Sequence, residues 1–376
     1  MLEKNRGMSV GMGEIRAAGF GLMAAAAFLV FSGCGGAAAT GTDDSAGGPG
    51  ELVVPARAGM RVNALEHYGP LIVDDTASDG IYAQADTQPW SGYWYPISDD
   101  VMVNDSNRNG NASTLGKYDK YSAKQFGHNS TSIDYEKKSG GYVQSDEIGS
   151  AGRCHAWALA SVLEPEPKLP PQGVSIGGQT FYTRDVKALM IKSYERIEAG
   201  APIVIFGEPF DPLPNRAHPA ANDYNDVYPE QFHRVLQAEL FEKHRPILMD
   251  SDATDVSWNK PIWRANITMQ RDSADNRIMH VKTEVIAAIT ETVSVDFVGT
   301  MDKYFDYTYD LYGDVQPDGS LNVKYGKWTG GSADYHPDFI TALPPKGTKL
   351  KHASFNTQLE QSVIDDIFAK SGALKH

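Results

Sequence analysis

The sequence predicts an α/β (α+β) fold, with helices through its middle and an antiparallel sheet toward its end. Three observations carry that expectation. Residues 154–164 and 184–199 combine strong helix formers with apolar positions at helical spacing. Residues 278–300 are β-branched and alternating, with Met279, Val281, Thr283 and Val285 on one face and His280 on the other. The aromatic stretch "DKYFDYTYDLYGD", the turn "PDGS" at 317–320 and the following "LNVKYGKW" read as a hairpin.

The first residues set the context. Lys4, Arg6 and Arg16 precede "AAGFGLMAAAAFLVF", an apolar run short for a membrane span and rich in Ala and Gly. A basic flank, an apolar stretch and a small-residue end describe a signal peptide over residues 1–33. The run closes on "FSGC", which resembles a bacterial lipoprotein box and predicts cleavage before Cys34 and lipidation of its sulfur. Residues 34–50, "CGGAAATGTDDSAGGPG", have almost nothing to bury and read as a lipidated flexible tether. Gly35 follows the cysteine where an Asp suggests inner-membrane retention, so the expected location is the bacterial outer membrane, periplasmic or at the cell surface.

Residues 51–87 are mixed. "ELVVPARAG" and "GPLIVDD" are short strand candidates, and the segment either packs on the domain or acts as a pro-segment. Residues 88–345 form the expected catalytic domain. Residues 346–376 end in a helix, with Leu359, Val363, Ile364 and Ile367 at helical spacing. The 376-residue chain is 41% hydrophobic, enough for a sizeable core. Its net charge of −14 argues against nucleic acid as a partner, because phosphate binding needs basic patches.

The chain has two cysteines. If Cys34 carries lipid, Cys154 has no disulfide partner in an oxidising compartment, which raises the question of what its thiol does. "GSAGRC" leads into "HAWALASVL", and Pro165 and Pro167 end the pattern, so Cys154 falls at a helix N-terminus. There the macrodipole and unpaired N–H groups favour the thiolate and can bind a developing oxyanion. A loop glycine, a cysteine and a helix with an aromatic residue three positions on is the arrangement of papain-like cysteine enzymes. Such a nucleophile needs a base and an orienter. His233 is the expected base. Asp250, closing the apolar run "PILMD", is the expected orienter, with Asp252 as its alternative and Asn259 a weaker one. His155, His280 and His336 are lesser candidates for the base. His67, His218, His244, His352 and His376 lie in polar or terminal stretches.

With those segments placed, the chain resembles the transglutaminase elicitor family, cell-wall transglutaminases of oomycetes with bacterial relatives. The blocks follow in order: "WSGYWYP" (90–96), "KYDKYS" (117–122), "GRCHAWALAS" (152–161), "RDVKALM" (184–190), "FHRVL" (232–236), "SWNKPI" (257–262) and "YGKWTGGSADYHPDFI" (325–340). Arg153 and His155 depart from the family's His and Asn around the cysteine, and Ser257 and Lys260 alter the Trp-Asn-Pro block. The resemblance implies a papain-like core and calcium-independent acyl transfer by Cys154, His233 and Asp250, without a cofactor or metal. Its implied partners are proteins bearing Gln and Lys or other amines; the lipid anchor read from the N-terminus adds a membrane. Trp90, Trp94, Trp157 and Trp258 are candidate walls that exclude water, and Trp157, Trp258 and Asn259 are the expected substrate-binding residues. The same groups would serve a cysteine peptidase, or a non-catalytic surface protein on the same scaffold. "DSNRNGN" at 105–111 mimics the start of a calcium loop, but its twelfth position is Gly116 where a bidentate Glu is required, so no metal is expected there.

Overall fold

A computed structural model describes residues 62–74, 80–104, 112–143, 152–197, 201–207, 226–251, 259–290, 294–345 and 347–374. The elements begin with helix α1 (Ala64–Tyr68) and strands β1 (Ile72–Val73) and β2 (Ile81–Gln84). Helices α2 (Thr114–Phe126), α3 (Ser132–Lys138) and α4 (Cys154–Leu163) follow. A small hairpin, β3 (Val174–Ile176) and β4 (Gln179–Phe181), leads to α5 (Thr183–Ser193), β5 (Arg196–Ile197) and β6 (Val204–Gly207). Helix α6 (Pro229–Val235) runs on into a π-helix over Leu236–Glu242. Strands β7 (Ile247–Asp250), β8 (Asn259–Arg271), β9 (Ile278–Ala288), β10 (Asp302–Val315), β11 (Leu321–Trp328), β12 (Phe339–Ala342) and β13 (His352–Ala353) precede the last helix, α7 (Gln361–Ser371). Among the described residues no helix is long and apolar enough to cross a membrane.

Nine strands form one sheet in the order β1-β11-β10-β9-β8-β7-β12-β6, with β2 on β8 beyond β7. Every pairing in it is antiparallel. The expected α+β class with an antiparallel sheet therefore holds, and the hairpin is where the sequence puts it, Val315 opposite Leu321 across the 317–320 turn. Pro229–Glu242, whose spacing in the sequence is compatible with both helix and strand, is helical throughout. Pro229 opens it at the position where proline's missing N–H is harmless. The described part of 51–87 is built into the domain: Leu71 and Val73 are core residues, and β2 extends the sheet. "ELVVPARAG", the segments 1–33 and 34–50 with Cys34, and the loop 105–111 lie outside the described residues.

Two apolar cores flank the sheet. One gathers Phe232, Val235, Leu236 and Leu240 from α6 and its π-helical extension against Ile262, Val285, Tyr307 and Tyr309. The other gathers Trp157 and Leu159 of α4, Leu189 of α5 and Ile364 of α7 with Leu248. Strand alternation fixes which residue serves which core. On β7, Ile247 and Met249 enter the Phe232 core, and Leu248 enters the Trp157 core. Asp250, two residues after Leu248, shares the face on which α4 packs.

Candidate active site

Cys154 is the first residue of α4 and is buried, 8% exposed. The helix has no side-chain cap. The residue in the cap position, Arg153, turns its guanidinium away into the protein. It donates to the Tyr95 carbonyl (2.9 Å), the Gly141 carbonyl (2.7 Å) and Glu195 Oε1 (2.8 Å), and it pairs with Glu136. Lys192 reaches the same two carboxylates, at 2.7 Å to Glu136 and 2.6 Å to Glu195. The far oxygens are held from the C-terminal segment. Ser354 and the Phe355 amide bond Glu195 Oε2 at 2.7 and 2.9 Å, and Asn356 bonds Glu136 Oε2 at 2.7 Å. Two cations and two carboxylates thus cancel out of water. Burial alone would push Glu195 up, but Lys192 and Arg153 outweigh it and hold the carboxyl at about 2. The start of α4 is anchored from behind, while the side toward the sulfur carries no capping side chain.

Two aromatic contacts fix the approach to the cysteine. The Arg153 amide donates to the Trp94 carbonyl at 3.0 Å, and the Trp94 ring lies against Gly152 so closely that a Cβ there would meet ring carbons at 2.2 and 2.3 Å. Tyr95, which supplies a carbonyl to Arg153, has φ 48°, a left-handed conformation that costs a bulky residue on the order of 1–2 kcal/mol. The "WSGYWYP" segment is thereby locked to the head of α4.

The sheet supplies the sulfur's neighbours. Asp250 and Asn259 are cross-strand partners at the ends of β7 and β8, so both face α4. The backbone and side-chain amides of Asn259 hydrogen-bond the Cys154 sulfur, and the charges of Asp250 and Lys260 act on it. Tyr307 donates to the Ser251 carbonyl at 2.7 Å and so holds the strand end that carries Asp250. The thiol is nonetheless pushed above its usual value. Burial is the largest cause and Asp250 adds to it, while the Asn259 hydrogen bonds and Lys260 pull the other way without overcoming it. The expectation that the helix end lowers the pKa and holds the sulfur ionised is therefore corrected: desolvation outweighs it.

The expected trio does not assemble. His233 lies on α6 in the Phe232 core, across the sheet from Cys154. Its Nδ1 is 2.8 Å from the Tyr309 hydroxyl, which is 2.8 Å from Thr283 Oγ1. Burial, with Arg234 adding to it, pushes His233 down to about 4, so it stays neutral at pH 7. Asp250, expected to orient this imidazole, is instead the cross-strand partner of Asn259. The other histidines with hydrogen bonds are engaged away from the sulfur: His155 at the Glu195 carbonyl, His280 between Asp310 and Asp272, His336 between the Ser332 carbonyl and Asp226, and His352 at the Ser193 carbonyl. His280 is on the strand face its alternation predicts. His218, Asp252 and Trp258 lie outside the described residues. Trp157, expected to touch substrate, is wholly buried, its indole nitrogen against Gly92, where a Cβ would stand 3.1 Å from it. It fastens α4 in the core. Trp90 is buried there too, beneath Lys187, whose ammonium is 4.8 Å from a ring centroid.

Asn259 was expected at the site and is there. The Arg153–Glu136–Lys192–Glu195 cluster was not foreseen; the one signal was Arg153 itself, a cation beside the cysteine where the family pattern has His. Among the described residues no group of three or more His, Cys, Asp or Glu is placed to hold a metal ion.

Comparison with known families covers four of the seven sequence blocks, those at 152–161, 184–190, 232–236 and 257–262. Residues 135–278 match the family model "Transglutaminase elicitor". Among solved structures the fold matches the GP42 transglutaminase from Phytophthora sojae, with TM-score 0.57 and 20% identity, over 82% of this chain and 97% of that one. Comparison with curated proteins gives no match. The matched stretch runs from α3 through Cys154, Asp250 and Asn259 to the start of β9, and over it, with the shared fold, the chain is similar to the transglutaminase elicitor family.

Proposed function

We propose that this chain is a Cys154-dependent, transglutaminase-type acyltransferase. The sulfur adds to the side-chain carboxamide of a protein-bound Gln, the C–N bond breaks, and ammonia leaves with the proton that the thiol gives up. The resulting thioester passes its acyl group to a primary amine, such as a Lys side chain, giving an isopeptide crosslink. Water is the competing acceptor and gives deamidation; the balance between them depends on how well the site excludes water.

The observation that carries this reading is the Cys154 thiol at an uncapped helix start, hydrogen-bonded by both amides of Asn259. A neutral resting thiol requires its proton to be removed as it attacks. Asp250 is the ionisable side chain set against it on the same sheet face, and we assign the relay of that proton to Asp250 in place of His233. On this reading calcium is not needed, and a chelator leaves the rate unchanged. The N-terminal pattern ending in "FSGC" supports export and lipidation at Cys34, which mass spectrometry of the mature N-terminus tests.

The functional test is incorporation of a labelled primary amine into casein. Label without chain cleavage, lost in Cys154→Ser, supports the proposal. Fragments without label would make the chain a peptidase, and neither product would leave a non-catalytic surface protein.

A further inference from the structure

Asn259 is 6% exposed, and its side-chain nitrogen bonds the Cys154 sulfur. The oxygen on the same amide carbon, Oδ1, is buried and has no hydrogen-bond partner among the described residues. An unmatched buried acceptor is unfavourable unless a bound group supplies the donor. Its position identifies that group. Oδ1 and the side-chain nitrogen share one carbon, so a molecule being attacked by the sulfur comes within hydrogen-bond range of Oδ1. What Oδ1 can take is an N–H carried by the acyl donor. β8 holds the residue in place, with Asn259 paired to Asp250 and Pro261 to Leu248.

We propose that Asn259 is a specificity residue of the Cys154 site, its Oδ1 accepting a hydrogen bond from the –NH2 of a primary carboxamide. This rests on the acyl-transfer reading above and adds to it the way the site recognises its leaving group. A Gln side chain presents two amide hydrogens on an unsubstituted nitrogen. One can point at Oδ1 while the nitrogen's lone pair, freed as the carbon becomes tetrahedral, takes the proton released by Cys154. The products balance as thioester plus ammonia. An ester presents oxygen at that position and leaves Oδ1 unmatched, which is the situation in which a polar site rejects an analogue lacking the expected donor.

The test compares two acyl donors that differ only at the leaving group: benzyloxycarbonyl-Gln-Gly, followed by ammonia release, and its γ-methyl ester, followed by methanol release. Asn259→Leu removes both polar functions, and Asn259→Asp keeps the acceptor oxygens while losing the donor to sulfur. Folding is checked by circular dichroism. The expected result is that the carboxamide-to-ester ratio of kcat/KM falls on the order of 10- to 100-fold in Asn259→Leu. In Asn259→Asp both rates fall and the ratio stays within about 3-fold of wild type, the leftover margin being well under one hydrogen bond. Equal loss of both substrates in Asn259→Leu, or collapse of the ratio in Asn259→Asp, overturns the proposal. A wild-type protein that takes the ester and refuses the carboxamide overturns it while leaving acyl transfer by Cys154 standing. Turnover of neither substrate removes the acyl-transfer reading itself, and this inference with it.

Discussion

The two faces of the main sheet solve the problem of buried polar groups in opposite ways. On the α4 face, Arg153, Lys192, Glu136 and Glu195 are buried as ions that neutralise one another. On the α6 face, His233, Tyr309 and Thr283 are buried as neutral groups joined by hydrogen bonds. Ionic burial is expensive in desolvation but directional and stiff, and it surrounds the residue preceding Cys154. Neutral burial is cheaper and leaves the imidazole uncharged at pH 7. The contrast teaches that a buried histidine within a family motif is not thereby a base. What matters is the face it occupies, and here the sulfur and the imidazole sit on different ones.

The largest effect should come from crossing the two faces in one experiment. Cys154→Ser is expected to lower amine incorporation by about 1000-fold or more and to leave thermal unfolding nearly unchanged. His233→Gln should do the reverse, lowering the melting temperature while the wild-type rate of Cys154 alkylation is kept. A His233→Gln protein that is folded as stably as wild type and inert would return the imidazole to the active site.

Breaking the ionic cluster comes next. Arg153→Met leaves Glu136 and Glu195 facing Lys192 alone, and removal of one partner from a buried pair costs about 3–5 kcal/mol. Urea unfolding measures that loss, and a change below about 1 kcal/mol, the level of an exposed pair, would show that the cluster is not holding α4. Glu195→Gln tests the same point with a smaller change of shape.

The third prediction concerns pH. His233 has its folded pKa near 4 against 6.5 for the free side chain. As pH falls below 6.5 the unfolded chain takes up a proton that the native chain refuses, so stability declines until native protonation near pH 4. The full loss is on the order of 3 kcal/mol. Glu195, held at about 2 against 4.5, adds a loss of the same sign below pH 4.5, because the unfolded carboxylate protonates first. His233→Gln should flatten the curve between pH 6.5 and 4 and leave the lower limb intact.

The smallest effect is a gain. His244 adopts φ 50° on the chain between the π-helix and β7 and is exposed. Replacement by Gly relieves a left-handed conformation and should stabilise the fold by up to about 1 kcal/mol, read by urea unfolding, with Cys154 alkylation unaffected.

Much of this site was legible in the sequence because its signals are local. Pro165 and the helix formers after Cys154 fix a helix whose first residue is the cysteine. "PILMD" ends a strand at Asp250, and alternation puts His280 on the outer face. What was not legible depends on parity and on distance. Residues 229–242 combine helical and strand-like spacing, and whether they form one or the other decides which side of the sheet His233 reaches. In a strand a one-residue shift exchanges the faces. The anchor of Arg153 joins residues 136, 192, 195, 354 and 356, which no spacing rule connects. The direction of the Cys154 pKa is set by burial, which the sequence does not display, and not by the helix N-terminus, which it does.

In the proposed reaction Cys154 forms a covalent acyl bond with a carboxamide donor. Wild-type protein mixed with a Gln-bearing peptide, without an amine acceptor, should on acid quenching carry a new mass equal to the peptide less one ammonia. That mass should map to Cys154 and be removed by hydroxylamine. Amine incorporation that persists in Cys154→Ser, with no adduct at this sulfur in wild type, would contradict the account.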